Sequence, residues 1–464
     1  MRKPGALHKD DAAMFTDLYE LTMAQGYFEQ GMSDPATFSL FVRPSRTRRS
    51  YLVAAGLEDV LNYLESFFVS QDAIDFLHST HTFKDDFLDY LKAISFTGSV
   101  RAIPEGRLYF YEEPILEVTA PIVEAQLVET LLINQINLQS VIATKAARCA
   151  WAAQGRIVAD FSLRRAHGVD AGMKAARSSY IAGFQSTSNV LAGKTYDIPM
   201  TGTMAHSFVS SFEHEIDSFR AFAYSFPNNT ILLLDTYDTV AAAHKAATVA
   251  NEMKAREHRL LGVRIDSGNL LNLSRMVRHT LDQADLKNVL IFASGGLDEF
   301  AIHKLVEAGA PIDGFGVGTR MGVSGDAPWL DIAYKLVRYG KRPILKLSTG
   351  KVSLAYEKQV FRLLDSQNRF RGDLISLLNE PHPEPNAEGL LETSMEGGAI
   401  LKPKLSVHDA RSLFQMDFAR LHDRFKELKR GPKYPVRLSR RLRSLQKEAS
   451  QGIATGNSLP NQSP

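Results

Sequence analysis

Cysteine is nearly absent from this sequence of 464 residues: Cys149 stands alone. A single thiol excludes a disulfide framework and a cysteine-rich zinc site, and it fits a reducing cytosol. The residues after it, Ala150-Trp151-Ala152, form an apolar helical context, so a buried and inert thiol is expected. A charge of one sign is also missing. Against 54 Lys and Arg stand 52 Asp and Glu, a net charge of +2 with histidine neutral. No whole-chain field therefore argues for nucleic acid. No apolar run reaches the length needed to span a bilayer. Residues 1–11 carry charges without an apolar segment, so they do not read as a secretory signal. The expectation is a soluble cytoplasmic protein with no membrane and no nucleic-acid partner. His167 and His206 have no helical His-x-x-x-His pairing, so a catalytic zinc site is not supported. No glycine turn continues into Gly-Lys-Ser/Thr, and none has the spacing and early position of a dinucleotide fingerprint.

The length suits two or three domains, or one large barrel with additions. Thr16-Asp17-Leu18-Tyr19-Glu20 reads as a helix start, with Asp17 as N-cap and Glu20 completing a capping-box-like pair. Residues 37–42 alternate like a strand and lead into a basic loop with Arg43, Arg46, Arg48 and Arg49, either solvated or a phosphate contact. Residues 51–68 and 87–94 read as amphipathic helices, 98–120 as a strand-rich layer, and 122–155 as a long apolar helical region.

From about residue 157 the texture changes. Short apolar runs recur at 156–161, 231–235, 261–266, 289–294 and 312–318. Helical stretches lie between them at 240–258, 270–284 and 298–308. Buried parallel strands read as continuous apolar runs, and this alternation suits βα units. Each run ends in polar or glycine residues. In such folds sites assemble at that end, so Asp160, Asp235, Asp266, Ser294 and Gly316 are expected to face one mouth. Beyond Gly322 the pattern fades. Residues 329–337, 344–347 and 358–364 suggest strands of a second layer, 381–387 an exposed loop, 411–429 a helix, and 437–447 a basic solvated helix. From Gly452 onward the composition is that of a disordered tail.

Several stretches can carry chemistry. Ala293-Ser294-Gly295-Gly296 and Gly316-Val317-Gly318-Thr319 are small-residue turns after successive strands. They either present backbone N–H groups to a phosphate or merely join strand to helix. Arg264 and Asp266 lie two apart on one side of a strand end. They form a structural ion pair, or else serve an anion and sugar hydroxyls. Asp235 and Asp238 are two carboxylates that can serve Mg²⁺ through water, or a ribose. Phe161 offers an aromatic face beside Arg164 and Arg165. His206, in Gly202-Thr203-Met204-Ala205-His206-Ser207, is a turn residue able to act as acid, base or nucleophile. Together these groups suit a phosphorylated sugar with an oxocarbenium-like transition state and a pyrophosphate leaving group.

As a set, Thr16-Asp17-Leu18-Tyr19-Glu20-Leu21-Thr22-Met23-Ala24, the His206 stretch, Asp235-Thr236-Tyr237-Asp238, Val263-Arg264-Ile265-Asp266-Ser267-Gly268 and the two glycine turns resemble the nicotinate phosphoribosyltransferase family. The resemblance implies a type II phosphoribosyltransferase: an irregular α/β barrel with an N-terminal α+β sandwich-like domain to which C-terminal segments return. It divides the chain into residues 1–150 (sandwich-like domain), 151–340 (barrel with the active site), 341–440 (segments completing the fold) and 441–464 (disordered tail). The implied reaction joins nicotinate to phosphoribosyl pyrophosphate with Mg²⁺, coupled to ATP hydrolysis through a phosphohistidine at His206, in a homodimer with a shared site. Phe161 and the partner's Tyr19 would sandwich the pyridine. Arg164 and Arg264 would meet phosphate or carboxylate groups. Asp235 and Asp266 would serve ribose, pyrophosphate or Mg²⁺, and no residue is assigned as a metal ligand. Gly295, Gly296, Gly316, Gly318 and Thr319 would hold the 5′-phosphate. The Ser188 segment carries no acid, which favours nicotinate over nicotinamide. A nicotinamide or quinolinate enzyme and an inactive binding barrel are the alternatives.

Overall fold

The computed structural model describes residues 9–44, 49–346, 353–401, 405–429 and 431–455. Arg46 and Arg48 of the expected basic loop, and the tail beyond 455, lie outside the described residues. Two compact units emerge: Met1–Val141 with Trp329–Pro464, and Ile142–Pro328. The expected division at 150, 340 and 440 therefore differs, because the strand Ile332–Tyr339 belongs with the N-terminal sheet.

In the first unit, the strand Pro35–Val42 is apolar and buried along nearly its whole length. It pairs antiparallel with Ile332–Tyr339 on one side and Pro114–Pro121 on the other, at the heart of a seven-stranded sheet. A second sheet of four strands contains Lys358–Leu364 and Phe370–Leu377. N-terminal and C-terminal segments thus share the seven-stranded sheet, where Glu392–Glu396 pairs with Ser99–Ala102, as the resemblance implied.

Local details depart from expectation where burial or a glycine intervenes. The helix Leu18–Glu29 follows Asp17, but the Asp17 side chain makes no capping hydrogen bond and accepts from the Thr130 hydroxyl. Glu20 is instead buried and accepts from the Thr16 and Thr130 hydroxyls. Residues 51–68 are not one helix. Leu52–Val53 pairs with Leu108–Tyr109, and Gly56 turns the chain at φ 102° into the helix Leu57–Glu65. A Cβ at Gly56 would lie 2.7 Å from the Gln135 carbonyl oxygen, so this corner requires glycine. The basic C-terminal stretch forms the helix Arg440–Thr455 and is not a disordered tail from 441. Leu442 and Ala449 are buried on one face, and Ala449 packs with Leu345 and Ala355.

The second unit is built on six parallel strands. Their order across the sheet is Ser186–Thr187, Ile157–Asp160, Gly314–Val317, Leu290–Ala293, Gly262–Ile265 and Ile231–Leu233. The two edge strands do not pair with each other, so the expected irregular barrel is realised as a curled half-barrel. The apolar runs supply its core: Leu232, Val263, Ile265, Ile291, Ala293 and Val317 are wholly buried. The two-residue edge strand Ser186–Thr187 is too short to leave a periodic signal. Thr239–Lys254, Leu270–Gln283 and Glu299–Glu307 are the intervening helices. Asp238, Asn269 and Asp298 accept from backbone amides at their N-termini, which sets the turn after each strand.

Candidate active site

The C-terminal ends of these parallel strands bring together most of the residues singled out above. Asp235 follows Ile231–Leu233, and Asp266 follows Gly262–Ile265. Asp235 Oδ2 accepts from the Asp266 amide at 3.1 Å and from the Ser267 hydroxyl at 2.6 Å. Its Oδ1 is buried with no partner. Asp266 Oδ1 accepts from the Ser294 hydroxyl of the next strand end. The two aspartates are therefore locked in place by neighbouring strand ends.

Arg264 points the same way from within its strand. One Nη donates to the Met204 carbonyl at 3.1 Å, which ties the His206 stretch to the sheet. Its Nε is buried without a partner. Burial lowers its pKa from the usual arginine range; Asp266 and Asp235 oppose this, and Arg164 adds to it. The alternative of a closed structural ion pair with Asp266 is not what the structure holds, since donors on this guanidinium are left over. Such spare donors suit an anionic ligand.

His206 opens the short helix His206–Ser210 and is exposed. Its Nδ1 lies 3.1 Å from the Thr236 hydroxyl, next to Asp235. Asp238, paired with Asp235 on sequence grounds as a possible metal carboxylate, is instead the N-cap of Thr239–Lys254, accepting from the Ala241 amide at 2.7 Å. Among the described residues, no group of three or more His, Cys, Asp or Glu is arranged to hold a metal ion.

The glycine turns do what only glycine can. Gly295 has φ +89°, and a Cβ there would fall 1.8 Å from the Asp266 carbonyl oxygen. Gly316 lies under Phe161, whose ring would be 2.5 Å from a Cβ at that position. Gly296, also at positive φ, faces open space. Gly318 precedes Thr319, which begins the one-turn helix Thr319–Gly322. Beside this cradle Arg320 donates to Asp298 at 2.7 Å. Asp298 ends the first turn, but nothing local in the sequence marks Arg320, one residue past the second turn, as its partner.

Phe161 is half-buried, and Arg164 is exposed on the one-turn helix Leu163–Arg165. Ser188 follows the edge strand, and its amide donates to the Asp160 carbonyl at 2.9 Å. Asp160 itself is turned inward and only 1% exposed, so it does not face the mouth as expected. Tyr19 lies in the other unit. It is 46% exposed on Leu18–Glu29, and partial burial, then Glu129, raises its pKa above the usual tyrosine range.

Known proteins resemble this chain over nearly its whole length. A sequence profile described as the nicotinate phosphoribosyltransferase N-terminal domain matches residues 14–137, and the profile of the nicotinate phosphoribosyltransferase family matches residues 157–352. A nicotinate phosphoribosyltransferase of Mycobacterium tuberculosis is 46% identical over 439 residues, 94% of each chain. That of Bacillus subtilis is 37% identical over 93% of this chain and 94% of its own. The crystal structure of human nicotinic acid phosphoribosyltransferase superposes with a TM-score of 0.82 at 30% identity, covering 93% of this chain and 99% of that one. Similarity this deep, running through both units, makes the chain a member of the nicotinate phosphoribosyltransferase family.

Proposed function

We propose that this protein joins nicotinate to phosphoribosyl pyrophosphate, releasing nicotinate mononucleotide and pyrophosphate, and that it couples this to ATP hydrolysis through His206. The relatives named above support the transfer reaction. The observation that carries the site assignment is the convergence of strand ends. Asp235, Arg264, Asp266, Gly295, Gly296, Gly316, Gly318 and Thr319 leave neighbouring strands at one end of one sheet, and His206 sits 3.1 Å from Thr236 beside them.

The roles follow from chemistry. The glycine turns offer backbone N–H groups to the 5′-phosphate. Arg264 offers its spare donors to the pyrophosphate or the pyridine carboxylate. Asp266 and Asp235 hold the ribose hydroxyls and stabilise positive charge that develops on the sugar. Asp235, whose Oδ1 is buried without a partner, would hold a Mg²⁺ ion. When bound, that ion supplies charge to the leaving pyrophosphate. His206 accepts a phosphoryl group from ATP on a ring nitrogen, leaving ADP, and its hydrolysis resets the site.

Phe161 stacks on the pyridine from one side. The partner's Tyr19 closes the other side in a homodimer. The exposure of Leu18 and Phe15 next to Tyr19 supports a subunit contact there. Ser188 lines the ring, and residues 185–189 hold no carboxylate to repel that of nicotinate. The lone, buried Cys149 is consistent with work in the cytoplasm.

The test is a product assay with nicotinate, nicotinamide and quinolinate, with and without ATP. Nicotinate mononucleotide should be the product, and ATP should raise its yield. His206→Ala should abolish the ATP effect while keeping some transfer. Coupling that survives this substitution rules out the phosphohistidine role. No product from any pyridine revives a purely binding role.

A further inference from the structure

Asp160 is used by no step above, yet it holds the base of the proposed pyridine site. The strand ends Ile157–Asp160 and Ser186–Thr187 are adjacent in the sheet and lead directly into Phe161 and Ser188. Asp160 is 1% exposed. Its Oδ1 accepts from the Ser162 amide at 2.8 Å and its Oδ2 from the Thr187 hydroxyl at 2.8 Å. The Thr187 oxygen in turn accepts from the Asn189 amide at 3.0 Å. The Asp160 carbonyl takes the Ser188 amide at 2.9 Å, and the Phe161 amide donates to the Val317 carbonyl, also at 2.9 Å. The segments that carry Phe161 and Ser188 thus both hang on one buried carboxylate.

A buried carboxylate is a poor source of net stability, because desolvation offsets most of what its hydrogen bonds return. Burial raises the pKa of Asp160, and the bonds from Ser162 and Thr187 oppose that rise. What the group does supply is geometry: two acceptor oxygens at fixed spacing, one for each segment.

We propose that Asp160 is a positioning residue, acting through Ser162 and Thr187 to set where Ser188, lining the ring, stands relative to Phe161, stacked on its face. This rests on the reading of those two residues given above. Thr187→Val cuts one arm of the tie and keeps the shape of the side chain, and Thr187→Ser restores the hydroxyl.

The experiment measures initial rates against each substrate in turn for the wild type, Thr187→Val, Thr187→Ser and Asp160→Asn. Thr187→Val should raise KM for nicotinate about ten-fold while KM for phosphoribosyl pyrophosphate stays within about two-fold. Thr187→Ser should return to wild-type values, and Asp160→Asn should shift nicotinate KM in the same direction as Thr187→Val. An unchanged nicotinate KM in Thr187→Val, or an equal rise for both substrates, overturns the proposal. Should Asp160→Asn fail to fold, the two Thr187 variants decide alone. Should the wild type make no nicotinate mononucleotide, the functional reading falls, and the tie is then judged by amide hydrogen exchange. Faster exchange at Ser162 in Thr187→Val upholds it, since that amide bonds to Asp160 and not to Thr187. Unchanged exchange there overturns it.

Discussion

Two arginines, each inside a strand, show how the two units use charge differently. Arg362, in the antiparallel unit, is completely buried and fully spent. It donates to both oxygens of Asp373, to Asp417 and to the Leu108 carbonyl, with its guanidinium 4.1 Å from the Phe370 ring centre. Burial alone would lower its pKa, but Asp373 and Asp417 outweigh that and raise it. Arg264, in the parallel unit, makes one hydrogen bond to Met204 and keeps an unpartnered Nε, and burial lowers its pKa despite Asp266 and Asp235. The same residue type is pushed in opposite directions. The difference lies in contact: Arg362 touches its carboxylates, whereas Asp235 Oδ2 and Asp266 Oδ1 accept from neighbouring strand ends and neither acid bonds to Arg264. A satisfied buried charge holds a fold together. A charge left partly unsatisfied at the ends of parallel strands has capacity for a ligand.

The largest effect that would sharpen this contrast is on stability. Arg362→Ala takes the cation from Asp373, leaves Asp417 with Arg107 alone of the two arginines it bonds, and should cost about 3–5 kcal/mol in denaturant unfolding. Folded protein that survives should keep its KM for nicotinate. Arg264→Ala should do the reverse, lowering kcat/KM about 10²–10³-fold with little change in unfolding midpoint. If Arg264→Ala destabilises as much as Arg362→Ala, the contrast collapses. Gly295→Ala comes next. It forces a Cβ onto the Asp266 carbonyl at positive φ, and it should cost about 1–3 kcal/mol and displace Asp266, seen as lost transfer activity.

The smallest effect concerns pH. Glu388 is partly buried, which raises its pKa, but its bonds from Arg420 and Arg107 prevail and hold it below the ordinary glutamate range. A depressed carboxylate adds stability above its unfolded pKa and loses it as pH falls through the folded one. Glu388→Gln should therefore flatten the acid limb of a stability profile below about pH 4.5, by less than about 1 kcal/mol because the pair is partly exposed. Equal acid limbs in the two proteins would show that this network is electrostatically idle.

Much of the parallel unit was legible in advance because its strands are buried on both faces. Their apolar runs are continuous, and the residues ending them make up most of the proposed site. Asp235, Asp266 and the glycine turns could be found this way. Asp160, at a strand end, and Asp238, three residues past Asp235, both look like site carboxylates in the sequence. One folds inward to bind the Ser162 amide and the Thr187 hydroxyl, and the other caps a helix. No periodicity distinguishes a carboxylate that faces a ligand from one that satisfies backbone, because both follow a strand. The antiparallel unit was less legible. Its central pairing joins Ala36 to Tyr339, and strands this distant leave no local signal of their partnership.

By itself the sequence determined the alternation of strand and helix in the parallel unit, the glycine corners, the lone thiol and the set of stretches that marks the family. These are local: each depends on hydrophobic period, on backbone freedom at glycine or on residue identity. Only the tertiary structure decided which charges are spent. Arg362 meets Asp373 across a strand pair and Asp417 on a separate helix, and Asp160 meets a hydroxyl on a neighbouring strand. Arg264 is left with an unpartnered Nε. A hydrogen bond requires a partner within about 3 Å. Which partner arrives is set by sheet order and register, and those are decided only when the whole chain packs.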